Sequence, residues 1–475
     1  MAARGGELNP KLKPDRGYET LTVARELAEF LIRTSPSDIP QQPLDHAAML
    51  IASTLASAAL GSGLESSRII RDLARERGGR PDASLWFSSG PKLPTAEAAQ
   101  VNAVASDAAA SDDSDLRNIV HAGTTLAATA LAVAERTDTG GEEVLAAIVL
   151  GYEAAGRIGE AITPSFRTRG FHGCLVAIFA GAVAAGRLLG LDSARMAQTI
   201  ALSATSIGGL AAAANTSVAR EYHAGLAALL GVQAALAAQR GFQAEERILE
   251  TKQGFFEVYG DAGGVAAAES VLRGLGERWD IVTDMAIKLV PGGHPHHALA
   301  EAAGKAARDG DIKPDEVDSI TLSRPGVTSL AAPLHPTDLI GMAHSPAYFL
   351  AAGVADHGMS WGHAAQAKID DPVIHRLIDK VRVGPPPTGD VARYRQGATV
   401  TIRTTDGRIS TSTVYAPKGA GLEGIAWADI DAKYHSLMPH SRLSNSQIEA
   451  SLAVIHDFRE VKDVSALTDL LRKEG

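Results

Sequence analysis

Four things are scarce in this 475-residue chain: cysteine, aromatic residues, clustered positive charge and long apolar runs. A single cysteine, Cys174, is read as excluding both a disulfide framework and a cysteine-based zinc or iron–sulfur site. Aromatics make up only 5%, while alanine and 47 glycines fill much of the 45% hydrophobic share, a bias toward closely packed helices rather than a β-sandwich. Lys and Arg number 45 against 55 Asp and Glu, a net charge of −10 without a basic block, so nucleic acid is not an expected partner. The longest uncharged stretch, 196–219, is interrupted by Gln198, Thr199, Ser203, Ser206 and Asn215. A bilayer span of about 20 residues would be more apolar. That stretch reads as a buried helix pair, and no membrane partner is expected. Residues 1–16 are polar and lack the apolar core of a signal peptide, so they read as a loose tail and the location as cytoplasmic.

What is present has ordinary globular proportions, with 21% charged residues and length for two or three domains. From 17 to about 285 the chain reads as helices. Val23, Leu27, Phe30 and Leu31 form one apolar stripe, and 97–109, 124–135, 142–162, 175–189 and 194–206 are further helical stretches. The texture changes after Lys288. Segment 319–322 is β-prone, and β-branched runs at 399–404 and 408–415 flank Asp406-Gly407, a hairpin signal. Helical pattern returns after 425, with Ser444 as a cap. The expected fold is mainly α: a large helical domain (17–285, completed by 425–475) with a smaller inserted α+β lid domain (286–424).

Five segments place polar residues inside apolar, Ala-rich surroundings. Asp112-Asp113-Ser114-Asp115 precedes His121 at a helix mouth, where carboxylates beside an imidazole can tune proton transfer. Phe171-His172-Gly173 leads into an apolar helix. Arg220 and His223 share a face if helical, and Arg carries a planar fork suited to carboxylates. Lys288 precedes Pro291-Gly292-Gly293-His294-Pro295-His296-His297, whose glycines suit a hinge or a close backbone approach to anions. That His-x-His-His run lacks a second ligand set with metal-site spacing, so no metal is expected there. His344-Ser345-Pro346-Ala347-Tyr348 opens a helix. Gly61-Ser62-Gly63 follows a helical run rather than a strand and is no dinucleotide fingerprint. Cys174 reads as a small core residue, not a nucleophile.

In order and spacing, these segments resemble the MmgE/PrpD family of 2-methylcitrate dehydratases, cis-aconitate decarboxylases and iminodisuccinate epimerases. Pro94–Ala99 with Val101-Asn102-Ala103, Gly151-Tyr152-Glu153 and Arg442-Leu443-Ser444 add to the likeness. The resemblance implies a homodimer with its site between helical domain and lid, and no metal or organic cofactor. It implies His121, His172, Lys288 and His294 as catalytic residues. It implies Asp112, Asp113, Ser114, Arg220, His223 and Tyr348 as substrate-binding residues. This chain departs from the family pattern at Ala110 (a first aspartate), Arg220 (a lysine) and Gly293, which aligns with the lid histidine while His294 lies one residue on. The expected activity is a cofactor-independent lyase, a dehydratase first, on a small di- or tricarboxylate. Decarboxylation or epimerisation on the same residues is the alternative, and a catalytically lapsed dimeric binding protein is a third reading.

Overall fold

The computed structural model describes residues 22–473 except 207 and 422, so the expected tail at 1–16 lies outside the described residues. The first described helix, Val23–Arg33, starts where Thr22 Oγ accepts from Arg25 N at 3.0 Å. Its buried residues include Val23, Leu27, Phe30 and Leu31, the stripe read from sequence. Behind it, Gln41–Gly61, Thr95–Ala108, Ala122–Thr137, Gly141–Ala161, Cys174–Leu188 and Ala219–Gln239 form the main core. Cys174–Leu188 packs on Gly141–Ala161, Ala122–Thr137 and Ala219–Gln239. Small side chains permit this: 14 of its 15 residues are buried, five of them alanines, so helices can approach on several faces.

Gln41–Gly61 has the length and apolarity to cross a membrane, but 89% of its apolar window is buried inside the protein. It packs against Thr95–Ala108 and the C-terminal helix Trp427–Leu437. The second half of the expected buried pair at 196–219 is a correction. Ala211–Thr216 is a short helix in which only Ala214 is buried, because polar Asn215 and Thr216 leave it no continuous apolar face.

The α+β unit has its own core, which includes Leu299, Val317, Ile320, Phe349 and Val400. Its four-stranded sheet runs Val381–Val383, Val317–Ser323, Ala398–Thr404, Ile409–Val414; the first pair is parallel and the rest antiparallel. Helix His294–Asp309 packs on the last two strands and on helix Pro346–Ala355. The hairpin turns at Asp406-Gly407, with Gly407 at φ +91°. Ser444 caps Asn445–His456 with a reciprocal Ser444/Gln447 box, and that segment rejoins the helical core.

One element was not anticipated. Asp113–Asp115, expected only as the segment before a helix mouth, is a strand paired antiparallel with Met285–Ile287. Three-residue strands rich in aspartate carry no β signal. This ribbon brings the start of the α+β unit against the aspartate segment.

Candidate active site

The ribbon sets the geometry. Lys288 follows its second strand directly, and Lys288 N donates to Asp112 O at 3.1 Å. The Lys288 Nζ then reaches Asp112 Oδ1 at 2.6 Å, with the side chains 1% and 0% exposed. On the other side His121 Nδ1 lies 2.6 Å from Asp112 Oδ2 and 2.7 Å from the Asp113 carbonyl. With two oxygens facing Nδ1, that nitrogen carries the proton, which leaves Nε2 for proton transfer. Burial alone would raise the Asp112 carboxyl, but His121 and Lys288 outweigh it and hold the group ionised.

Asp113 is placed differently. Its Oδ1 accepts from Gly123 N at 2.9 Å and its Oδ2 from the Tyr152 hydroxyl at 3.3 Å. Burial, reinforced by the Asp112 charge, pushes Asp113 up to about 6. Both aspartates were expected to bind substrate. Asp112 Oδ1 and both Asp113 oxygens accept hydrogen bonds from within the protein, while Asp112 Oδ2, without a hydrogen bond among the described residues, lies against His121 Nδ1. Ser114 Oγ sits 3.4 Å from His121 Nδ1, a long contact.

His172 and His294 complete the cluster. Burial holds both well below the ordinary histidine range, and each also feels the charge of His121. They are neutral bases at pH 7. His294, 1% exposed, starts its helix with neither ring nitrogen hydrogen-bonded among the described residues, and Lys288 and Asp112 act on it. Of the two positions, His294 is the one that places an imidazole within reach of the Lys288 and Asp112 charges. His296 and His297 pack at 5.4 and 5.8 Å from Phe349 and are pushed by burial to about 3; they belong to the α+β core.

Arg220 lies on the helix Ala219–Gln239, as does His223, so the shared face is real. Burial works against its charge, which Asp107, Asp112 and Glu221 restore. Its Nε donates to Asp107 Oδ2 at 2.8 Å and its Nη2 to Asp107 O at 2.6 Å. The free bidentate fork expected for a substrate carboxylate is thus largely engaged. Arg220 also lines a cavity of about 380 Å³ with Ala110, Glu221, Leu339 and His344, between the helical core and the α+β unit. His121, His172, Lys288 and His294 do not line that cavity, although the Arg220 charge acts on Asp112 and His172.

Two expectations fail. Tyr348 is fully buried and its hydroxyl donates to the carbonyls of His363 and Lys368 at 3.3 and 3.0 Å, so it is a core residue of the α+β unit. An apolar helix with mean burial this complete turns its aromatic ring inward whatever motif it carries. Gly292 and Gly293 are no open hinge: a Cβ on Gly292 (φ +99°) would lie 2.8 Å from Phe349, and one on Gly293 2.7 Å from Ala343 O.

Other groups escaped the sequence reading. Lys433, from the distant helix Trp427–Leu437, is buried beneath the aspartate segment, donating to Ser53 Oγ at 2.7 Å and to the Ser111 carbonyl. Burial pushes its amine down to about 7. No motif surrounds it, and its only signal was a lysine among apolar helical positions. Arg117 ties the segment after Ser114 to Asp280, Asp284 and Glu160, while Arg395 of the α+β unit donates to Asp284 at 2.7 Å. Cys174 is buried, and burial raises its thiol to about 12, in keeping with the expectation that it is no nucleophile. It has two histidine neighbours: His172, Cys174 and His223 each place a ligand-type atom within 4.8 Å of the others.

The protein is mainly helical, with a cluster of histidines, carboxylates and a lysine where the helical core meets the α+β unit. The chain belongs to the MmgE/PrpD family, whose N-terminal domain matches residues 25–267 and whose C-terminal domain matches 291–457. It is 25% identical to a cis-aconitate decarboxylase of Homo sapiens over 435 residues, 89% of each chain. It is 29% identical to a cis-aconitate decarboxylase of Aspergillus terreus over 60% of each chain. A cis-aconitate decarboxylase-like protein of Aspergillus oryzae is 26% identical over 84% of this chain and 86% of its own.

Proposed function

We propose that the protein is a lyase acting on a small polycarboxylate, and that it decarboxylates an unsaturated tricarboxylate of the cis-aconitate type. One observation carries the reading: the chain His121–Asp112–Lys288, in which His121 meets Asp112 through Nδ1, with neutral His172 and His294 close enough to feel the His121 charge. Lys288 and Arg220 bias the site toward carboxylate groups. As the carbon–carboxylate bond breaks, its electron pair moves onto the conjugated acid, and a histidine ring that has taken a proton from solvent delivers it to carbon and returns to its neutral form. The names of the relatives support the same choice.

Dehydration, first from sequence alone, is the second reading. A neutral base beside a carboxylate-supported imidazole is the pair that removes a carbon-bound proton and protonates a leaving hydroxyl. A homodimer acting in the cytoplasm, with the α+β unit closing over substrate, remains our proposal for its working form. The test incubates purified protein with cis-aconitate, citrate-type hydroxy acids and imino acids, followed by proton NMR and CO2 trapping. Released CO2 with a new alkene supports decarboxylation, water loss without CO2 supports dehydration, and a change of optical rotation alone means epimerisation. Ligand-dependent thermal shift without turnover of any compound would overturn the enzyme reading.

A further inference from the structure

We propose that His172, Cys174 and His223 form a binding site for a thiophilic divalent cation of the zinc type, and that filling it silences the enzyme by taking His172 out of proton transfer. The three residues come from two helices and the turn before one of them, 49 or more residues apart for the His223 member, so no sequence spacing announces them. Each offers one nitrogen or sulfur atom, all within 4.8 Å of one another. The His172 and His223 rings lie 5.1 Å apart. Nδ1 of each is buried and has no hydrogen-bond partner among the described residues, an arrangement that is costly unless something meets it.

Gly209 leaves the room. A Cβ there would lie 2.7 Å from Cys174 Sγ and 3.0 Å from His223 Nδ1, so the absence of a side chain opens the space onto which sulfur and imidazole converge. His172 N donates to Gly209 O at 2.8 Å, which holds this backbone against the cluster. Two imidazoles and one thiolate suit zinc or cobalt(II), with a fourth position left for water. On binding, the metal–sulfur bond replaces the S–H bond and one proton leaves to solvent. The loss of activity rests on His172 carrying a proton in the proposed reaction; the binding itself does not.

The experiment titrates the metal-free, reduced, full-length protein with cobalt(II). Because the chain has one cysteine, a thiolate-to-cobalt charge-transfer band in the near ultraviolet can come only from Cys174. The expected result is such a band, saturating at one cobalt per chain, displaced by zinc, and lost in Cys174→Ser and in His223→Ala. Gly209→Ala keeps all three ligands and should also lose it. No band in the wild-type protein, or a band unchanged in His223→Ala and Gly209→Ala, overturns the site. In the activity arm, zinc should inhibit wild-type turnover reversibly on addition of EDTA. Cys174→Ser should retain basal activity and resist zinc at least about tenfold better, the scale of losing about 1.4 kcal/mol of binding. Equal zinc sensitivity in that variant would overturn the silencing role. If the proposed reaction fails on every substrate, the cobalt titration still reads the site.

Discussion

Replacing Asp112 by asparagine keeps the shape of the side chain and removes the charge that two basic groups share. At an effective dielectric constant of about 20, unit charges 2.6 Å apart attract by roughly 332/(20 × 2.6), or about 6 kcal/mol before desolvation. The net loss on breaking a buried pair is about 3–5 kcal/mol, because the remaining charge stays buried without compensation. Lys288, 1% exposed, would be that charge. Urea unfolding of Asp112→Asn should show a loss of this size, and the melting temperature should fall by about 6–10 °C at roughly 2 °C per kcal/mol for a large chain. The double variant Asp112→Asn/Lys288→Met should recover much of the loss, since a neutral pair leaves no stranded charge, giving a coupling energy above about 2 kcal/mol. Turnover should fall at least about 100-fold in both, because His121 loses the carboxylate that faces its Nδ1. A loss under about 1 kcal/mol with additive single variants would refute the hub role of Asp112.

Four further outcomes are expected. His121→Gln and His172→Gln should each lower kcat by about 100- to 10,000-fold with KM little changed; retained kcat with a lowered melting temperature would mark them as structural. Lys433 has its amine pushed from 10.5 to about 7, so between pH 7 and 10.5 the folded protein binds fewer protons than the unfolded chain and stability rises with pH. Lys433→Met should remove that rise, read as the difference between the two melting-temperature profiles. Gly292→Ala with Gly293→Ala should lower the melting temperature by the equivalent of about 1–3 kcal/mol, through overpacking against Phe349 and Ala343; an unchanged value would restore the hinge reading. Light scattering at micromolar concentration should give a dimer, with Leu64, Ile69 and Leu73, exposed on one helix and the turn before it, among the surfaces to be covered.

Much of this protein is legible in its sequence because the information is local. Helical stripes such as Val23, Leu27 and Leu31, the Asp406-Gly407 turn and the Ser444 cap each depend on residues a few positions apart, and each formed as read. The order of the aspartate, histidine and lysine segments was likewise enough to bring the family into view. What only the tertiary structure decided involves partners far apart in the chain. Asp112 meets Lys288 across 176 residues because two three-residue strands pair, although neither has a β signature. Lys433 reaches Ser111 across 322 residues, and Asp107 takes up the fork of Arg220 across 113. Tyr348, given a site role by its motif, turned into the core because the apolar surface around it outweighed the placement of one hydroxyl that two backbone carbonyls could satisfy. Periodicity records which face of an element is buried; it does not record which buried polar group lies opposite, and here that pairing is what keeps the buried Asp112 ionised.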